Sequence, residues 1–267
     1  MYDPQMDQFL LATSDFNVSN TQLQYDYGRF YASKSFYDGA KKRRVLWGWV
    51  NEGDNPSDAF KKGWSGLQRY SKTVSTVASG GNQEAKSKQV NMESRELKGG
   101  SLLEVPGISG SQADIEVVFS LSNLSDLELI NSDMSDPQHL CDQKNVSTSG
   151  SYGPFGVLVF ASQNLTEQTA VFFRVFKGPN KFQVLMCSDQ SRSSIAQGVD
   201  KSTYGAFLDL DPLHDKISLR SLVDHSIVES FGGEGLACIT ARVYPKLAIH
   251  EHASSMYSIM AQRVLLC

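Results

Sequence analysis

Apolar and polar residues alternate along this chain in short strand-like runs, not in helical stripes. "FYASKSFY", "RRVLWGWV", "ADIEVVFSL", "FGVLVFAS", "AVFFRVF", "KFQVLMCS", "KISLRSLV", "SIVESF" and "ACITARVY" are rich in β-branched and aromatic residues, and most are bounded by Gly, Asn, Asp or Pro. No long stretch keeps a 3.6-residue apolar period, so the pattern predicts a predominantly β chain. The best hairpin signal is Ile217–Phe231, "ISLRSLVDHSIVESF", with Asp224-His225-Ser226 as the turn and the Asp224 carboxylate able to accept a backbone N–H two residues on. In the returning strand Ile227, Glu229 and Phe231 share one face, which places Glu229 between apolar neighbours. Such a carboxylate needs a cation or N–H donor, and Arg220 and Arg242 are the candidates.

The pattern breaks between Arg69 and Gly100. "RYSKTVSTVASGGNQEAKSKQVNMESRELKGG" is polar, poor in aromatics and interrupted by glycines, as a linker is. It divides residues 1–70 from residues 99–267, with 71–98 as the polar linker. After it, strands recur with frequent turn signals, as a two-sheet sandwich requires. Before it there is room for only a few strands, whose open edges need a partner.

The three tryptophans of the chain, Trp47, Trp49 and Trp64, all fall just before that break. Trp47 and Trp49 lie on one strand face. Rings of this size build either a core or a platform on which a planar apolar ligand stacks.

Composition narrows the choices. The chain has 267 residues, 40% of them hydrophobic and 20% charged, ample for a globular core. A formal charge of −4 argues against a nucleic-acid partner, and the one basic run, Lys41–Arg44, reads as a solvated turn. No apolar stretch approaches the ~20 residues of a membrane span. The N-terminal residues have no basic n-region and do not form a signal peptide. Yet four N-x-[S/T] sequons, at Asn17, Asn123, Asn145 and Asn164, point to a secreted glycoprotein. The two readings agree if the natural N-terminus lies upstream. Cys141, Cys187, Cys238 and Cys267 lack metal-site spacing, and Cys238 reads as a small buried hydrophobe. His250 and His252 read as solvated surface, the glycine turns lack the context of a phosphate loop, and no nucleophile elbow occurs. No cofactor and no metal are expected.

Several stretches together resemble the plant branch of glycoside hydrolase family 32, the acid invertases, fructan exohydrolases and related fructosyltransferases. They are "YDYGRFYASKSFYD", "RRVLWGWVNE", "KGWSGLQ", "YGPFGVLVFAS", "AVFFRVFKG", "VLMCSDQSRSS", "SLRSLVDHSIVESFGGEG" and "CITARVYP". The resemblance covers most of the chain and is nearest to the cell-wall invertase subgroup. It implies a five-bladed β-propeller followed by a β-sandwich, with residues 1–70 as the last blade region and residues 99–267 as the sandwich. It also implies an extracellular or cell-wall location, a disulfide between Cys141 and Cys187, and retaining hydrolysis of terminal β-fructofuranosyl bonds in sucrose or fructans.

Retention requires two carboxyl groups roughly 5 Å apart. The family carries its nucleophile, transition-state and acid/base carboxylates in WMNDPNG-like, RDP and WECP-like boxes, and none of these occurs here. The chain is therefore expected to lie downstream of them and to be inactive alone, with an N-terminal fragment as a possible partner. Asp224 and Glu229 read as structural, and Glu52 and Asp54 as a solvated strand end. The resemblance places Asp26, Tyr31 and Trp49 near the sugar pocket. A different class of reading is a non-catalytic carbohydrate-binding or regulatory module. Two segments depart from the family pattern: "RYSKTVSTVASGGNQEAKSK" replaces a proline- and tryptophan-bearing strap, and the tail after "YPKLAI" lacks the usual ending.

Overall fold

The structure, a computed structural model, describes residues 2–3, 8–9, 24–71, 89–97, 100–106, 108, 110–121, 124–130, 135–248, 256–261 and 264–266. Two short strands, β1 (Tyr2–Asp3) and β2 (Gln8–Phe9), pair with each other. A three-stranded antiparallel sheet follows: β3 (Phe30–Asp38), β4 (Arg43–Val50) and β5 (Leu67–Ser71), with β4 central and helix α1 (Pro56–Lys62) in the β4–β5 connection. The basic run closes the β3–β4 turn with Lys41 and Lys42 and opens β4 with Arg43 and Arg44; the Asp38 carboxylate accepts the Lys41 N–H and meets Arg43.

The remaining strands form two six-stranded sheets among the described residues. One has the order β12-β11-β10-β9-β16-β7, comprising β7 (Ser101–Glu104), β9 (Phe155–Ala161), β10 (Thr169–Lys177), β11 (Phe182–Asp189), β12 (Tyr204–Leu208) and β16 (Met256–Ala261). The other has the order β15-β14-β13-β8-β17-β6, comprising β6 (Arg95–Leu97), β8 (Gln112–Ser120), β13 (Ile217–Asp224), β14 (Ile227–Gly232), β15 (Ala237–Arg242) and β17 (Val264–Leu266). β6 lies within the segment read as linker, and residues 72–88 of that segment are outside the described residues. One apolar core joins the two sheets: Phe155, Val157, Phe173 and Val175 from the first meet Val117, Phe119, Ile217 and Leu219 from the second. The Phe155 ring stands edge-on to Phe119 at 5.2 Å between centroids.

The patterning of individual strands follows from how many of their faces are covered. β13 alternates buried and half-buried residues, with Ile217, Leu219, Ser221 and Val223 inward, because its other face meets water. In β9 every residue is buried. Its outer side is covered by a second cluster in which Leu158, Phe172 and Leu185 pack beneath α2 (Pro137–Gln143). That helix starts where the Asp136 carboxylate accepts the N–H groups of Gln138 and His139, with Pro137 in the first turn. A disulfide between Cys141 and Cys187 fastens it to β11.

The predicted hairpin is β13–β14, paired from Leu219↔Gly232 to Asp224↔Ile227. The Asp224 carboxylate takes Gln112 and the His225 ring as partners. Of the two arginines considered for Glu229, Arg220 contacts Asp114 and Arg242 contacts Glu52.

Candidate functional site

Tyr31 and Trp49 are register partners across β3 and β4, just before a bulge that shifts the pairing between Tyr31 and Lys34. Their rings meet edge-on, 6.0 Å apart at 62°, a pairing that contributes about 0.5–1.5 kcal/mol beyond area burial. Both remain exposed, Tyr31 at 60% and Trp49 at 38%, and Trp47 stands open on the same face of β4. The opposite face is covered, since Gly48 leaves room only for the Phe30 ring. Trp49 rests on the β5 side against Gly66, whose backbone is left-handed at φ +80°; a Cβ there would lie 1.9 Å from Trp49 Nε1. The result is an open aromatic surface with a fixed floor.

Asp26 is placed differently. The segment before β3 runs beside β15, the edge strand of the second large sheet, through Tyr27 N–H to Cys238 O and Arg29 N–H to Thr240 O, both 2.8 Å. The Asp26 carboxylate, 8% exposed, accepts the Thr240 N–H at 3.0 Å, the Thr240 hydroxyl, the Gly28 N–H at 2.7 Å and the Cys238 thiol at 3.5 Å. Asp26 thus covers an otherwise open sheet edge.

Two further clasps join the small sheet to the large ones. The Arg29 guanidinium reaches Asp200 at 2.8 Å and also donates to the Glu52 carbonyl and the Tyr204 hydroxyl. Burial alone would raise the Asp200 carboxyl, but the Ser202 hydroxyl and Arg29 outweigh it and hold it below the ordinary aspartate value. In the second clasp Glu52 Oε2 accepts from Arg242 Nη2 at 3.0 Å and from the Tyr244 hydroxyl at 2.7 Å. Burial pushes the Tyr244 hydroxyl above its ordinary value against the opposing N–H groups of Gly53 and Arg242, so it stays protonated and donates. The Arg242 guanidinium also lies over the Trp64 ring, 5.8 Å from its centroid. The expectation that Glu52 is a solvated strand-end carboxylate is therefore corrected: its side chain is 8% exposed and ties β4 to β15. Nothing local in the sequence pairs residues 190 positions apart.

Of the sequons, Asn145 and Asn164 are described, and Asn17 and Asn123 lie outside the described residues. Asn164 is exposed, and its Oδ1 accepts the Thr166 N–H. Asn145 is half-buried and accepts the Ser147 N–H, in a loop anchored by the buried Arg174, whose guanidinium donates to the carbonyls of Lys144, Asn145, Thr148 and Gly153. Burial lowers the Arg174 pKa to about 10, with Glu128 partly opposing. Among the described residues no cluster of His, Cys, Asp or Glu is arranged to hold a metal, and no helix is long and apolar enough to cross a membrane.

Residues 74–262 match the domain described as glycosyl hydrolases family 32 C terminal, and residues 3–89 match the family 32 N-terminal domain. The chain belongs to glycosyl hydrolase family 32. It is 49% identical over 261 residues to the insoluble β-fructofuranosidase isoenzyme CWINV1 of Arabidopsis thaliana, covering 93% of this chain and 44% of that protein. It is 50% identical over 244 residues to fructan 6-exohydrolase of Beta vulgaris, covering 88% of this chain and 40% of that protein. The structure resembles that of fructan 1-exohydrolase IIa from Cichorium intybus, with a TM-score of 0.82 and 44% identity over 91% of this chain and 48% of the other. A complex of the Cichorium enzyme with 1-kestose gives a TM-score of 0.81 at 43% identity, over 91% of this chain and 47% of the other. The chain thus spans about half the length of the relatives it matches.

Proposed function

We propose that this chain is the C-terminal portion of a retaining β-fructofuranosidase acting on terminal fructosyl bonds of sucrose or fructans. In this reading the three-stranded sheet is the last blade region of a five-bladed β-propeller, and the two six-stranded sheets are its C-terminal β-sandwich. The observation that carries it is the open Tyr31–Trp49 face on the small sheet of a family-32 chain. A fructosyl ring can lay its apolar face on such rings while its hydroxyls stay hydrated or bonded elsewhere. Asp26, its carboxylate engaged by β15, contributes by positioning the strand that carries Tyr31. The paired carboxyls that retention needs come from an N-terminal fragment of the same family, because Asp26, Glu52, Asp200 and Asp224 each serve a structural contact in this chain. The likeness to a cell wall β-fructofuranosidase isozyme of Pisum sativum favours the cell wall as location, with Asn145 and Asn164 as glycan acceptors.

The test is hydrolysis of sucrose and 1-kestose by the chain alone and after mixing with a propeller-bearing fragment of a relative. No turnover alone and measurable turnover on mixing is the expected result. Turnover by the purified chain alone overturns its inactivity, and failure to complement overturns the partner. The same exposed aromatic pair supports a second reading, a carbohydrate-binding module without catalysis. Calorimetric titration with sucrose, levan and inulin decides that one, and absence of heat with every sugar removes it.

A further inference from the structure

Glu52 spends its two carboxylate oxygens on two different parts of the molecule. Oε2 is held by Arg242 and Tyr244 at and just beyond the end of β15, at 3.0 and 2.7 Å. Oε1 accepts the N–H of Gly66 at 3.1 Å. Gly66 is the floor on which the Trp49 indole rests, with no space for even a methyl group between them. The same indole is met edge-on by the Tyr31 ring. A continuous line of contacts therefore runs from the large sheet through Arg242 and Tyr244 to Glu52, on to the Gly66 backbone and finally to the Trp49 ring. Every link is short. Its central ion pair is nearly closed to water, with side-chain exposures of 1% for Arg242 and 8% for Glu52, so it is not loosened by solvent as a surface pair is.

We infer that Glu52 is a positioning residue through which the second six-stranded sheet sets the orientation of the Trp49 ring, and with it the affinity of the aromatic face for a fructosyl sugar. The last step rests on the proposed role of Trp49 as a sugar platform; the relay itself does not. The chemistry demands a carboxylate. Glutamine keeps the size but offers one oxygen, so it can accept from Gly66 or from the Arg242–Tyr244 pair and not from both. Tyr244 cannot simply turn away to receive an amide N–H, because its oxygen already accepts the Gly53 N–H at 2.8 Å and the Arg242 Nε–H at 3.4 Å.

The full chain labelled with 5-fluorotryptophan provides the test, its resonances assigned by Trp47→Phe, Trp49→Phe and Trp64→Phe. In Glu52→Gln and in Tyr244→Phe the Trp49 resonance should move by more than its linewidth while that of Trp47, on the same strand face, stays in place. Tyr244→Phe leaves the Glu52–Arg242 pair intact, and so remains informative if Glu52→Gln fails to fold. A Trp49 resonance that stays in place in a folded variant overturns the relay. So does a Trp47 shift as large as that of Trp49, which would mark general loosening. Titration of the wild-type chain with 1-kestose separates the two layers. If Trp49 does not respond to the sugar, the platform reading falls and the relay is judged on the variants alone. If it responds, the variants should need several-fold more sugar for the same response, and unchanged affinity overturns the link to binding.

Discussion

Glu167 offers the sharpest test of how the large sheets are held together. It is fully buried, and four backbone N–H groups from two loops donate to its carboxylate: Ile195 to Oε1 at 2.9 Å, Lys246 to both oxygens at 2.9 Å, and Leu247 and Ala248 to Oε2 at 2.7 and 3.1 Å. In Glu167→Gln the amide oxygen can keep the Lys246–Ala248 set, while its NH2 group then faces the Ile195 N–H. One orphaned buried donor costs about 1–3 kcal/mol. The three surviving bonds lose their charge assistance, roughly half their strength, which adds about 2 kcal/mol. Removing the desolvation cost of a buried charge offsets part of this. The net expected destabilisation is about 2–4 kcal/mol, a large share of the 5–15 kcal/mol typical of a domain. Glu167→Ala should cost more, since all four donors lose their acceptor. Urea unfolding at constant m-value measures the difference. A glutamine variant within about 0.5 kcal/mol of the parent, the usual span of a neutral surface change, would refute the reasoning. A second reading comes with the first: Tyr244 precedes the gripped segment by two residues, so loosening it should also disturb emission from Trp64 above Arg242.

Other outcomes follow from the same structure. Gly66→Ala forces a side chain into left-handed backbone, at about 1–2 kcal/mol, and against the Trp49 indole; a lowered melting temperature together with shifted tryptophan emission is expected. Asp200 has a depressed folded pKa, so its contribution is present above the unfolded value of about 3.9 and is lost as pH falls through the folded one. Melting temperatures recorded from pH 5 to pH 3 should therefore fall less steeply in Asp200→Asn than in the parent. Removing the Cys141–Cys187 bond, which spans 46 residues, should cost about 4 kcal/mol on the chain-entropy estimate. An unchanged melt in the Cys141→Ser, Cys187→Ser double variant would contradict that.

Much of the sheet structure was legible in the sequence, because strand signals are local. The runs around Ile115, Val157, Phe172, Leu185, Leu219, Val228 and Ile239 all became strands, and the Ile217–Phe231 hairpin turned where its Asp-His-Ser triplet allowed. β12, "YGAFL", escaped notice because it is five residues long and carries a glycine. α1 and α2, of seven residues each, are too short to show a helical period. The site divides along the same line. Alternation alone puts Trp47 and Trp49 on one face, and the resemblance marks Tyr31 as the neighbour. The contacts that hold that face, Glu52 with Arg242 and Arg29 with Asp200, join residues far apart in the chain. Charged side chains at such separations carry no periodic signature, so nothing in the sequence told them from ordinary surface charges.

The order of strands has a consequence for biosynthesis. β16 and β17 enter the interiors of the two large sheets, and β7 and β6 each pair with them alone among the described residues. β6 and β7 must wait for partners made much later in the chain, and a ribosome that stops before Met256 releases a product in which neither has the neighbour it pairs with among the described residues. Quality control would meet such a product as two raw edges at once, which makes the stretch from Met256 to Leu266 a poor place for a tag or a nonsense codon.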